Sequence, residues 1–111
     1  MSETQQVGID IEKIDSKIER IKNKFLRDDE LQIISTAHAT EHKFVYWCAK
    51  ESLYKWYGRK QLDFKEHLFI EPFEFAVEGK LRGEIRKNDF SVQLEINYLR
   101  IENYMMAFVS A

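Results

Sequence analysis

The chain has 111 residues, of which 44% are hydrophobic and 14% aromatic, enough for a packed core and far from a disordered composition. Its 17 basic and 19 acidic residues leave a net charge of −2, which argues against a general nucleic-acid binder, since those carry a basic excess. Apolar runs are only a few residues long, so neither a membrane span nor a secretory leader is expected. A cytoplasmic protein of one domain, residues 1–111, follows.

Val7-Gly8-Ile9-Asp10-Ile11-Glu12 alternates with period two and predicts a strand, with Val7, Ile9 and Ile11 on one face and Asp10 and Glu12 on the other. Asp15 and Ser16 offer helix caps, and Ser16-Lys17-Ile18-Glu19 fits a capping box, opening a helix that carries Ile18, Ile21 and Phe25. A break at Arg27-Asp28-Asp29 starts a short second helix with Leu31, Ile33 and Ile34. Thr40 is placed to cap a longer helix ending near Tyr57, with Gly58 as terminator. Cys48, the one cysteine, falls in that helical pattern and reads as a small buried hydrophobe rather than a catalytic thiol.

The remainder predicts strands. His67 to Val77 alternates in part and holds Pro72, which suggests an edge or a bulge. Glu78-Gly79 reads as a turn. Leu81 to Arg86, Phe90 to Ile96 and Tyr104 to Ser110 follow as an antiparallel meander, with turns at Lys87-Asn88-Asp89 and Glu102-Asn103. One strand, then helices, then several strands implies an α+β fold in which an antiparallel sheet packs against a long helix.

Asp10 and Glu12 project side by side from one strand face, where two like charges resist joint ionisation without a cation. On pattern alone, the simplest reading is a solvated acidic face. Glu51 lies mid-helix, one turn after Trp47 and one turn before Lys55. The Glu51–Lys55 spacing is that of an ordinary surface ion pair, worth about 0.3–0.5 kcal/mol. Alternatively, Glu51 joins Asp10 and Glu12 around a divalent ion; three carboxylates with water and phosphate oxygens suit octahedral Mg²⁺. His38, His42 and His67 lack zinc-ligand spacing and read as polar or partly buried residues. Lys17, Arg20, Lys22, Lys24 and Arg27 form a solvated basic face that would also attract an anionic partner.

Together the segments resemble the 4′-phosphopantetheinyl transferase superfamily, whose pattern is a strand with G-x-D-x-E followed by a helix with W-x-x-K-E-[AS]-x-x-K. Here these are Gly8, Asp10 and Glu12, then Trp47, Lys50, Glu51, Ser52 and Lys55, with Phe25 to Glu30 (FLRDDE) similar to the family's intervening segment. The resemblance implies transfer of the phosphopantetheine arm of coenzyme A to a serine of an acyl or peptidyl carrier protein. Asp10, Glu12 and Glu51 would hold Mg²⁺, Lys55 and Lys50 would contact coenzyme A, and Glu51, directly or through a water, would be the general base. Carrier proteins of this kind are acidic, so the segment from Lys17 to Arg27 would suit docking one.

The pattern is closest to the second half of the family's two-half branch, whose first half adds a histidine and basic residues to the coenzyme A site. Here Met1 to Gln6 leads straight into the strand. A half-domain of this type is expected either to self-associate, as a dimer or a trimer, or to bind carrier protein or coenzyme A without turnover.

Overall fold

The computed structural model describes residues 7–58 and 62–110. Strand β1 (Val7–Lys13) is followed by helices α1 (Ile18–Phe25), α2 (Asp28–Gln32) and α3 (Ala39–Tyr57), then strands β2 (Leu68–Ile70), β3 (Glu78–Lys87), β4 (Phe90–Ile101) and β5 (Tyr104–Ser110). The strands form one five-stranded sheet in the order β1-β5-β4-β3-β2. Every neighbouring pair is antiparallel, so β1 closes one edge of the meander against β5. The expected α+β architecture, an antiparallel sheet packed against a long helix, is the one observed.

Local chemistry sets the boundaries, not always where the pattern placed them. The capping box expected at Ser16–Glu19 is absent: Asp15 Oδ1 accepts from the Lys17 amide at 2.7 Å, and Glu19 turns to Lys22 and Lys43. The reciprocal contact appears instead at α2, where Glu30 Oε1 accepts the Arg27 N–H at 3.0 Å. Helix α3 begins at Ala39, one residue ahead of the expected cap Thr40. Its end is as expected: Gly58 adopts φ 71°, a left-handed conformation that a side chain would oppose, and its N–H bonds the Tyr54 carbonyl. The strand expected over His67–Val77 is cut to Leu68–Ile70, just short of Pro72, which has no N–H for a ladder. Glu78-Gly79, expected as a turn, opens β3. The hairpin turns carry Asn88 (φ 55°) and Glu102 (φ 52°) as expected.

Helix α3 lies across one face of the sheet. Phe44, Val45, Cys48, Ala49 and Leu53 pack with Ile85, Ile96, Met105, Ala107 and Val109, all buried, while α1 contributes Ile18 and Phe25. Burying each large aliphatic or aromatic side chain is worth about 1.5–3 kcal/mol. Lys50 is also in this layer and fully buried. Its ammonium donates to the Phe25 carbonyl (2.6 Å), Glu30 Oε1 (2.8 Å) and the Phe64 carbonyl (3.0 Å), tying α3 to the end of α1, to α2 and to the following loop. Burial pulls its pKa down to about 8, with Glu30 opposing that shift.

The faces of β1 are the reverse of the simplest expectation. Gly8 and Asp10 are buried beneath α3, and Glu12 is half-buried, whereas Val7, Ile9 and Ile11 remain more than half exposed. Gly8 makes this possible. A Cβ there would sit 1.9 Å from the Ser52 carbonyl oxygen and 2.7 Å from the Trp56 backbone nitrogen, so strand and helix backbones touch. Because those atoms are backbone and cannot rotate away, Gly8→Ala should destabilise the fold by about 3 kcal/mol or more, beyond the usual range for overpacking, measured by chemical denaturation.

His42 offers a second test. It is buried among Tyr46, Phe73 and Phe75, and its Nδ1 accepts the Ser35 N–H at 3.0 Å. Burial lowers its pKa below 6.5, with the Phe73 carbonyl opposing. The unfolded chain therefore takes up a proton near pH 6.5 that the folded chain refuses. The stability His42 contributes is complete above that pH and is lost as pH falls toward the folded value. Glu12 and Glu51, whose pKa values are raised, act with the opposite sign at the acid end. Between pH 7 and 5, the Tm of the parent chain should fall more steeply than that of His42→Gln; parallel profiles would remove His42 as the cause.

Candidate active site

The site grows from the contact between the two backbones at Gly8. With α3 resting on β1, the acidic side of the strand faces the helix instead of water. Asp10 is only 4% exposed. Lys55 reaches across from α3, donating to Asp10 Oδ1 at 2.9 Å and to the Ile9 carbonyl at 3.2 Å. The hydrogen bond to Asp10 is the leading cause that raises the Lys55 pKa. The other oxygen, Asp10 Oδ2, is buried and has no well-aligned hydrogen-bond partner among the described residues, although the Cys48 thiol and Glu12 lie close to the carboxylate. An unpaired buried acceptor costs about 1–3 kcal/mol, and more when it carries charge.

Glu12 and Glu51 flank this carboxylate. The Glu12 pKa is raised by burial and by the charge of Asp10, while Lys17 at 3.6 Å and the Trp47 indole favour its charged form. The Glu51 pKa is raised by burial and then by Asp10, with Lys55 opposing. Both acids therefore respond to one central negative charge. The ordinary helix-surface pair expected between Glu51 and Lys55 is displaced, because the Lys55 ammonium bonds Asp10.

Asp10, Glu12, Glu51 and Lys55 are thus brought into one neighbourhood. Lys50 is not: its side chain is enclosed and its ammonium is engaged with Phe25, Glu30 and Phe64, away from these acids. The neighbouring positions diverge because successive side chains on a helix point about 100° apart. Cys48 lies behind the acids, bonded to the Met105 carbonyl at 3.4 Å. Burial and then Asp10 push its thiol pKa up, as suits an inert core residue. Lys17 is a member of the site that sequence reasoning left in a general basic face; nothing in spacing alone ties it to Glu12. Of that basic face, Lys22 and Arg27 are also engaged in ion pairs, with Glu19 and with Asp29 and Glu30.

Among the described residues, no three His, Cys, Asp or Glu side chains are gathered closely enough to hold a metal ion as they stand. The donor set nonetheless suits a hard cation: oxygen ligands alone, mutual repulsion among the acids, and a buried oxygen at Asp10 without a well-aligned hydrogen-bond partner among the described residues. A separate groove of about 410 Å³ lies between α2 and β2–β3. Arg27 and Arg86 flank Phe69 there, 4.3 and 4.0 Å from the ring centre. Its arginines are paired with Asp29, Glu30, Glu71 and Glu84, and none of the acids of the β1–α3 site lines it. The chemistry therefore concentrates at β1 and α3.

No helix among the described residues is long and apolar enough to cross a membrane. No curated protein matches the chain. A family model does match, over residues 6–109, which takes in β1 with its two acids, α3 with Glu51 and Lys55, and the β-rich tail. With nearly the whole length covered, the chain belongs to the 4′-phosphopantetheinyl transferase superfamily.

Proposed function

We propose that this chain moves the 4′-phosphopantetheine group of coenzyme A to a serine of an acyl or peptidyl carrier protein, in the cytoplasm and with the help of Mg²⁺. Membership of the superfamily supports phosphopantetheine transfer in general. The observation that carries the finer reading is the buried acidic face of β1, with Asp10 Oδ2 lacking a well-aligned partner among the described residues and Glu12 and Glu51 beside it.

Asp10, Glu12 and Glu51 would hold the metal. A metal held there would neutralise charge on the coenzyme A pyrophosphate as the P–O bond within it breaks, the serine oxygen taking the phosphopantetheine and adenosine 3′,5′-bisphosphate leaving. Lys55 is half exposed and bonded to Asp10, so its ammonium can exchange that partner for a phosphate oxygen without crossing the core. Glu51, on the helix face that looks toward β1, is our candidate to accept the proton of the carrier serine. Lys50 serves indirectly by anchoring α3 to α1, α2 and the following loop. The chain is expected to act as a homo-oligomer, dimer or trimer, in which a second copy completes the coenzyme A site.

The test has a binding arm and a chemical arm. Mg²⁺ and coenzyme A should raise Tm together, because each binds the folded state, and Asp10→Asn should lose the Mg²⁺-dependent part. Carrier protein incubated with the chain, coenzyme A and Mg²⁺ should gain the mass of one phosphopantetheine group, and Glu51→Gln should slow this by about 100-fold or more. Ligand-induced stabilisation without any mass gain would instead select a half-domain that binds carrier protein or coenzyme A without turnover. Absence of both responses would remove the functional reading altogether.

A further inference from the structure

Lys17 stands where a lysine is locally unfavourable. It is the N-cap of α1, and its side chain makes no cap hydrogen bond. A cap side chain normally offers an oxygen to the first free N–H groups of a helix, and the positive end of the helix dipole repels a cation. The backbone nevertheless fixes Lys17 at this point. Asp15 Oδ1 accepts its N–H at 2.7 Å, and the next residue, Ile18, is fully buried. The chain is thereby turned back after β1, and the Lys17 ammonium arrives 3.6 Å from Glu12 Oε1.

Glu12 has a second neighbour in the Trp47 indole, which also favours its charged form. That indole is held by Phe25 and Phe64, with ring centres 4.9 and 5.6 Å away. Lys17 is held less firmly. Its side chain is 40% exposed, against 22% for Glu12, so the ammonium can turn into water while the backbone stays in place. Asp10 has a counter-charge of the same kind in the half-exposed Lys55. Two water-facing ammonium groups thus serve the acids Asp10, Glu12 and Glu51. A cation that takes Glu12 must first break the Lys17 pair and then lie near the displaced ammonium, and both effects weaken its binding.

We propose that Lys17 is a tethered counter-ion of Glu12 that a divalent cation must displace, so that it lowers the metal affinity of the β1–α3 site. The inference rests on the reading of Asp10, Glu12 and Glu51 as metal ligands. It adds a residue outside both sequence motifs and separates Lys17 from the rest of the basic face. Lys17 acts here through Glu12, without touching the reacting atoms. A pair this open to water is screened, so its removal changes affinity several-fold and not by orders of magnitude.

Mn²⁺ serves as the probe, because it takes the same oxygen ligands as Mg²⁺ and its free and bound forms are distinguished by electron paramagnetic resonance without any turnover. Lys17→Gln should lower the Mn²⁺ dissociation constant about fivefold, and Lys17→Arg, which keeps the charge, should stay within about twofold of the parent. Lys24→Gln removes the same charge from an exposed position about two turns further along the helix and should also stay within about twofold. The rise in Tm on adding Mg²⁺ should be larger in Lys17→Gln than in the parent. Equal or weaker Mn²⁺ binding in Lys17→Gln, or an equal gain in Lys24→Gln, overturns the proposal, while parent binding that Asp10→Asn abolishes leaves the metal reading intact. Absence of Mn²⁺ binding in the parent and in Lys17→Gln alike overturns the metal reading and this inference with it.

Discussion

Everything at the site depends on how closely α3 lies on β1. A helix normally rides over a sheet on a cushion of side chains, and the cushion sets the interlayer distance. Gly8 removes the cushion at one point, bringing the Ser52 carbonyl and the Trp56 nitrogen against the strand backbone. One residue before each of these contacts, Glu51 and Lys55 are thereby carried to the level of Asp10. The same contact takes Asp10 out of water, so the close approach creates both the proximity and the electrostatic tension of the acids.

That tension is a clue to purpose. A core selected for stability alone would not bury a carboxylate with one oxygen lacking a well-aligned partner and two more carboxylates beside it. Lys55 relieves only part of it, on one oxygen and from a half-exposed position. The buried pair Lys50–Glu30 is the opposite case. Lys50 finds three acceptors that offset part of the cost of burying its charge, and its effect is to fix where α3 sits. Removing one partner of such a pair costs about 3–5 kcal/mol, since the other is left charged in the core. Adjacent residues of one motif thus divide the work: Lys50 holds the helix and Glu51 faces the strand.

The inversion of β1 also links the two faces of the sheet. Period-two alternation means that a strand cannot bury Asp10 and Glu12 without exposing Ile9 and Ile11. An inward acidic site and an outward apolar surface are one structural decision. The apolar half of that outer face lies over β1 and β5, while the charged half toward β3 is paired within itself.

Much of this was legible in the sequence. Alternation defined β1, helical spacing defined α1 and α3, and Gly58 marked the end of α3, because these signals are local and depend on the geometry of a few successive residues. The spacing of G-x-D-x-E and W-x-x-K-E-S-x-x-K named Asp10, Glu12, Glu51 and Lys55. The capping box at Ser16 loses to nearby partners that spacing does not rank, Asp15 for the Lys17 amide and Lys22 and Lys43 for Glu19, and α3 starts one residue before Thr40 with no side-chain cap. Glu78-Gly79 looked like a turn but was drawn into the ladder by its pairing with Tyr98 and Leu99, some twenty residues distant. Which face of β1 is buried, and that Lys50 is enclosed while Lys55 is not, were decided only by tertiary structure. A strand pattern fixes which residues share a face but not which face meets the helix. That choice follows from the fit of Gly8 against α3, a contact between residues more than forty positions apart.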